Sequence, residues 1–404
     1  MKIFWAMFFT VFTVGAFGVV CLGADWPSWR GTTGDGICTE TNVPVKWSAT
    51  ENIVWKTAIP GKGHSSPVVS GGRVFVTSAG KDGDRRLLSL DAKTGKVLWT
   101  KTVLTAPLEK INYLNSRASS TPTADGKHVW VTFLNVEKMF VACYDFDGKE
   151  IWRTEPGRFT AKHGYCASLL LYDDLVIVNG DQDAKGKDTA YIVALEKATG
   201  KERWRIDRPN KVRSYVPPVV FNAGGKDQMV LSGSRCTASY DPKTGERNWL
   251  VKGPTDQFVA SMVYTDDVFL ITGGFPTLHT LGISPKGKVL WHRTKESSYV
   301  PSPIAGGKYF FVVGDKGLLS CLTAKTGKVM WSKKLGRHHS ASPVSAGGRL
   351  YFLDDDGITF VIDAAPKFRL ITKNTLGEPC RASPAISDGK IFIRSKKNLY
   401  CIGK

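Results

Sequence analysis

The sequence has no CxxC pair, no run of basic residues and no stretch whose apolar residues recur at helical spacing. Each absence closes a class of explanation. Of the eight cysteines, one (Cys21) lies in the N-terminal apolar segment. The other seven are an odd number at irregular spacing, which excludes a disulfide framework and a cysteine-held zinc site. Cys143, Cys321 and Cys401 sit in apolar strand patterns and read as small core residues. Cys38 and Cys380 lie in loops, where either can pair, and no partner is legible. Lys and Arg outnumber Asp and Glu by 55 to 36, a net charge of +19. That excess is scattered over the whole chain, not gathered into an arm, so nucleic acid is excluded as a partner. A charged, soluble surface or a basic face for anionic polymers or lipid head groups remains.

One long apolar segment is present, at the N-terminus. Lys2 precedes Ile3 to Val20, and Cys21-Leu22-Gly23-Ala24 offers small residues for cleavage before Asp25. This is the pattern of a secretory signal peptide over residues 1–23, which places the mature chain in the periplasm or outside the cell. A lipid anchor on Cys21, with membrane association, is the competing reading; Val20 is large for the position before such a cysteine.

Internal repetition is the strongest signal in the rest. Asp91-Ala-Lys-Thr-Gly95-Lys-Val-Leu-Trp99 shows a Gly-x-x-x-Trp spacing that returns at Gly148–Trp152, Gly200–Trp204, Gly245–Trp249, Gly287–Trp291 and Gly327–Trp331. A Ser-Pro pair, a short turn and an alternating apolar run form a second mark, at Ser66-Pro67, Ser302-Pro303, Ser342-Pro343 and Ser383-Pro384. Degenerate versions begin near Thr121, Ala167, Pro217 and Ala260. In the first unit the short β runs are 67–69, 73–78, 87–91 and 97–101, joined by glycine turns. Eight such units, each of four short strands, predict an all-β fold, an eight-bladed β-propeller of four-stranded antiparallel blades.

The eighth unit stops after three strands. Its fourth is supplied from the other end of the chain by Asn52-Ile-Val-Trp55-Lys-Thr-Ala-Ile, so the N-terminal strand closes the ring and removes an exposed edge. The propeller therefore spans 52–404, and 24–51, with Trp26, Trp29 and Trp47, is an irregular arm packed across it. The repeated tryptophans are structural: each indole wedges between blades, burying ~150–250 Å², on the order of 4–6 kcal/mol gross. Leu370, following Pro366, marks blade seven as degenerate.

The Thr-Gly-x-x-x-Trp pattern resembles the tryptophan-docking motif of quinoprotein (pyrroloquinoline-quinone, PQQ) dehydrogenases, and it is equally similar to BamB-like propellers. Trp26-Pro-Ser-Trp-Arg-Gly31 with Asp35-Gly36 looks like the opening of secreted PQQ-like repeat proteins. The resemblance covers residues 25–404 and implies a fold shared by enzymes and non-enzymes. The enzyme alternative, a PQQ-dependent alcohol or sugar dehydrogenase or a quinone-binding relative, implies PQQ with calcium on the propeller axis, carboxylate and amide ligands, an aspartate base and often adjacent cysteines. No adjacent cysteines occur, and the lead-in segments of the blades offer Asp256, Glu296 and Glu378 as the only nearby carboxylates.

Those segments carry instead His64, Arg117, His163 with Tyr165, Arg213 with Tyr215, Gln257, Tyr299, His338-His339 and Arg381. Each lies a few residues before its blade's Ser-Pro mark, so all are expected around one end of the axis. A mouth of Arg, His and Tyr suits an anionic or sugar-like ligand. Asp354-Asp355-Asp356-Gly357 and Asp181-Gln-Asp183 read as turns between second and third strands, not as cation loops. The expectation is a monomeric, non-catalytic scaffold for a protein, or for an anionic polymer or carbohydrate.

Overall fold

A computed structural model describes residues 25–404; the segment read as a signal peptide, with Cys21, lies outside the described residues. Those residues form 32 strands in eight four-stranded antiparallel sheets, seven of them meandering in sequence order and the eighth closed by the first strand of the chain. Blade one consists of Val68–Ser70, Arg73–Ala79, Asp84–Asp91 and Val97–Thr105.

Its second strand shows why these sequences make blades. Val74 and Val76 point into a core shared with blades seven and eight. Phe75, between them, points into the core shared with blade two. Successive side chains alternate faces, and both faces are covered, so the inner strands read as unbroken apolar runs. The outer strand Val97–Thr105 is largely exposed.

The last blade is completed as the repeat count requires. Ile53–Ala58 pairs antiparallel with Asn398–Ile402, with Trp55 opposite Cys401 and Thr57 opposite Leu399. Lys56 on the closing strand reaches the Glu378 carboxylate at 2.9 Å. Glu378 also accepts hydrogen bonds from Asn398 and Tyr400 on the strand beside it.

Two contacts join one blade to the next. Towards the outside, each indole lies against the turn glycine of the following blade. A Cβ added at Gly200 would stand 2.5 Å from the Trp152 ring, and Trp152 Nε1 donates to Lys197 O at 2.8 Å. Trp55 and Trp291 make the same bond to Ala92 and Ala324. Where blade seven lacks the glycine, Phe368 stands edge-on to Trp331 with ring centres 5.1 Å apart.

Near the axis, the Ser-Pro marks bond in series. The amide of Ser66 donates to Thr121 Oγ1, Thr121 to Ser168 Oγ, Ser261 to Ser302, Ser302 to Ser342, Ser342 to Ser383 and Ser383 back to Ser66. The series breaks only at blade four, where Pro217 has no amide hydrogen and no hydroxyl.

The arm crosses the end of the axis where first strands finish. Asp25 accepts from Ser70 Oγ at 2.9 Å, Pro27 O from Ala124 N at 2.7 Å, and Arg30 Nη2 donates to Pro303 O at 2.6 Å. Cys38 N then donates to Ser345 O at 2.8 Å, and Glu40 receives the Asp388 amide at 2.9 Å. The channel is therefore stoppered at that end. Cys38 and Cys380 are both buried free thiols.

Candidate functional site

The open end of the axis holds a cavity of about 590 Å³ lined by residues from all eight blades. Trp29 of the arm lies in its lining, and the Ser-Pro hydroxyls of blades one, seven and eight (Ser66, Ser342, Ser383) belong to its wall. The mouth is built from loops running from a fourth strand to the next first strand. One of these is long. Residues 106–122 make a seventeen-residue connection between Val97–Thr105 and Thr123–Ala124, where the other seven hold nine to eleven. Its base is fixed by Glu109, which pairs with the buried Arg85, and it leans over the cavity through Asn112, Leu114 and Asn115. Asn115 Nδ2 donates to His163 O at 2.7 Å, and Arg381 Nη1 donates to Leu114 O at 3.0 Å. The loop thus spans from blade eight to blade three.

Of the eleven residues expected at the mouth, His64, His163, Arg213, Tyr215, Gln257, Tyr299, His338 and Arg381 line the cavity. Three do not. Arg117 turns back to Glu109, donating to its carbonyl at 2.6 and 3.1 Å. Tyr165 is buried edge-on to Phe159 and donates to Asn179 O at 3.3 Å. His339 is fully buried, with its ring nitrogens on the carbonyls of Leu353 and Leu335. Successive residues of an extended segment face opposite ways, which separates His338 from His339 and Cys166 from Tyr165.

The expectation of a mouth short of carboxylates needs correction. Asp256, Glu296 and Glu378 are not in the lining, but Asp315 is, and Asp183 and Asp355 stand directly behind it. All three come from turns between second and third strands. In an up-and-down blade those turns share the end of the ring with the mouth loops, a geometric signal that was available in the repeat. Asp183 pairs with Arg213 at 2.8 Å. Asp315 accepts the amides of Tyr299 and Val300 at 2.8 and 3.1 Å. Asp355 holds His338 Nδ1 at 2.8 Å and the Ser340 amide at 2.8 Å, with Arg381 Nε at 3.8 Å. Asp181, by contrast, is buried beneath the site against Arg208.

Electrostatics favour neutral imidazoles here. Burial, reinforced by Arg381 and Arg394, pushes His64 down to about 4. Burial and the charges of Arg213 and Lys162 also lower His163. Burial lifts the Tyr299 hydroxyl to about 12 and the Cys166 thiol to about 12, so neither ionises near neutrality. His338 with Asp355 has the geometry of an acid–base pair, but Ser340 Oγ bonds the carboxylate and not the imidazole. At the rim, Tyr113 is 86 % exposed and Phe275 56 %, with Leu108, Leu114 and Leu278 also at the surface.

The family described as outer membrane protein assembly factor BamB matches at residues 36–137, 137–298 and 279–367. The chain belongs to that family of PQQ-like propellers. No curated protein sequence is similar enough to count as a match. Among solved structures, BamB from Moraxella catarrhalis superimposes with a TM-score of 0.61 at 13 % identity, covering 87 % of this chain and 97 % of that one. The quinohemoprotein alcohol dehydrogenase from Comamonas testosteroni gives 0.66 at 11 %, covering 93 % and 80 %. The computationally designed Ika8 protein gives 0.63 at 13 %, covering 86 % and 98 %. At these identities the likeness shows the fold alone.

The dehydrogenase branch of that fold implies a quinone held with calcium. The cavity offers one carboxylate in its lining, Asp315, with both oxygens already on backbone amides. Among the described residues no three His, Cys, Asp or Glu side chains cluster at ligand distance. A hard cation wants six or more oxygen ligands. The donor set does not fit it.

Proposed function

We propose that this chain is a non-catalytic binding propeller that holds a protein partner against the loop face around its axial cavity. It serves as an assembly scaffold in the periplasm or outside the cell. The observation that carries this reading is the rim: exposed aromatic and aliphatic side chains from two distant loops, Tyr113 and Leu114 on one and Phe275 and Leu278 on the other, ring a cavity to which every blade contributes. Apolar groups concentrated at one opening mark an interaction site better than the same groups scattered. A rigid ring presents them without ordering cost. The family description, an assembly factor, supports a protein partner, and the apolar leader supports export.

The test is photo-crosslinking in the native cell. A benzoylphenylalanine at position 113 or 278 is expected to trap a discrete protein product. The same group at position 286, on an exposed turn at the opposite end of blade five, is expected to trap none. Equal labelling from both ends, or none from the mouth, overturns the reading.

A further inference from the structure

The wall between blades eight and one holds a buried arginine with no acidic partner among the described residues. Arg394, at the end of the strand Lys390–Arg394, is only 3 % exposed. Its Nη1 donates to Ser65 Oγ and Thr77 O, both at 2.6 Å, and to Ser65 O at 3.4 Å, all neutral oxygens. Burial lowers it to about 9, and no carboxylate acts against that. Buried Arg208 and Arg85 each hold an acidic partner, Asp181 and Glu109, whereas buried Arg30 beneath the arm bonds only the carbonyls of Asp35 and Pro303. A buried guanidinium without a counter-ion is costly, and an anion brought beside it offsets part of that cost.

Arg394 is not in the cavity lining; its charge reaches the cavity through His64, which lines it. Gly63 packs against the Arg394 guanidinium so closely that a side chain at 63 would collide with it. His64, the next residue, faces the cavity, and its ring makes no hydrogen bond among the described residues, whereas those of His338 and His339 do. Arg381 lines the same wall. Its nearest carboxylate, Asp355 at 3.8 Å, is already shared by His338 and Ser340. Arg381 also ties down Leu114, so the charged wall and the apolar rim meet at one point.

We propose that this wall is an anion subsite: Arg381 and the His64 imidazole receive a carboxylate carried on an extended segment of the partner protein, with Arg394 behind them as the uncompensated charge. The proposal rests on the binding-face reading and adds the chemistry of what enters, an acidic residue beside an apolar one that covers Leu114 and Tyr113. A neutral His64 donates one N–H and the Arg381 guanidinium a second pair, the charge-assisted geometry that carboxylates favour.

The experiment uses the full mature chain and fluorescein-labelled decapeptides of alternating Glu and Leu, read by anisotropy, beside the same peptide with Gln for Glu and free glutarate as competitor. The Glu peptide is expected to bind, and to weaken as salt rises. The Gln peptide and Arg381→Ala are each expected to lose about tenfold or more. Arg381→Lys recovers part of that loss. Arg337→Ala, at an 83 % exposed side chain paired with Asp356 outside the cavity, changes nothing. Equal binding of the Gln peptide, or indifference to Arg381→Ala in a protein of unchanged melting temperature, overturns the proposal. Glutarate binding as tightly as the peptide overturns the protein source and leaves a small acid in its place. If crosslinks form from the mouth while the Glu peptide does not bind, the scaffold reading stands and the subsite falls.

Discussion

Ser383 donates its backbone amide to the hydroxyl of Ser66 at 3.0 Å, bonding the last blade to the first across the chain's two ends. Both residues are buried. The bond therefore completes the inner ring of hydroxyls just as Ile53–Ala58 completes the outer sheet.

Ser66→Ala leaves the Ser383 amide buried and unpaired. An orphaned buried donor costs ~1–3 kcal/mol, so the urea midpoint is expected to fall by that equivalent. Ser261→Ala gives the comparison. Its hydroxyl reaches Pro217 O at 3.3 Å and receives no amide, because the neighbouring blade offers a proline. A smaller loss there, and an equal loss for Ser342→Ala and Ser66→Ala, checks that the ring and not each serine's own packing is responsible.

Gly200 sits at φ +70°, and a Cβ there would stand 2.5 Å from Trp152. Gly200→Ala meets both the left-handed backbone cost of ~1–2 kcal/mol and an indole that cannot retreat. A loss of about 2 kcal/mol or more is expected by denaturant unfolding. Gly225→Ala, at φ +80° with nothing within 4 Å, isolates the backbone share and is expected to lose less.

Stability should fall on acidification in a defined window. An unfolded histidine titrates near 6.5, whereas burial, Arg381 and Arg394 hold His64 at about 4 in the fold. Between those values the unfolded chain binds the extra proton. The folded state is therefore fully favoured above about 6.5 and loses up to about 3 kcal/mol as pH falls to about 4. His163 and His339 are lowered by burial too and add to the same slope. Urea midpoints at pH 7.0, 5.5 and 4.5 should drop less steeply in His64→Gln than in the wild type. Parallel slopes would remove His64 from the account.

Glu378 acts in the opposite sense. Burial alone would raise it, but hydrogen bonds from Ser395, Tyr400, Asn398 and Lys56 bring it down to about 2. Its contribution is present above the ordinary carboxylate range and is lost as pH falls towards 2. Glu378→Gln weakens the hold of Lys56 on the closing strand. It is expected to raise hydrogen exchange first at residues 53–58.

The ring was legible because its marks are local: glycine to tryptophan at fixed spacing, and a Ser-Pro pair before each inner strand. The missing fourth strand of the last unit and its N-terminal replacement could be counted without any distance information. The cavity was legible only in part. Repeat alignment places a residue along a loop but not the direction of its side chain, so His338 was found and His339, Tyr165 and Arg117 were misplaced. Asp183 and Asp355 were read as turns and Asp315 was not singled out; the position of these turns at the mouth follows only from strand alternation. Arg394 gave no signal at all: it ends an ordinary inner strand, and its lack of a partner is a three-dimensional fact. Trp29 enters the site from an arm with no repeat to align.

The most direct test of a binding propeller as against a cofactor enzyme is a thermal titration of the mature protein with pyrroloquinoline quinone, with and without calcium. A ligand held only by the folded state adds ~2.7 kcal/mol at 100 times its Kd. With Asp315 the one carboxylate in the lining and both its oxygens engaged, the account predicts no calcium-dependent rise in Tm. A saturable rise that requires calcium, followed by dye reduction with alcohols or sugars, would contradict it.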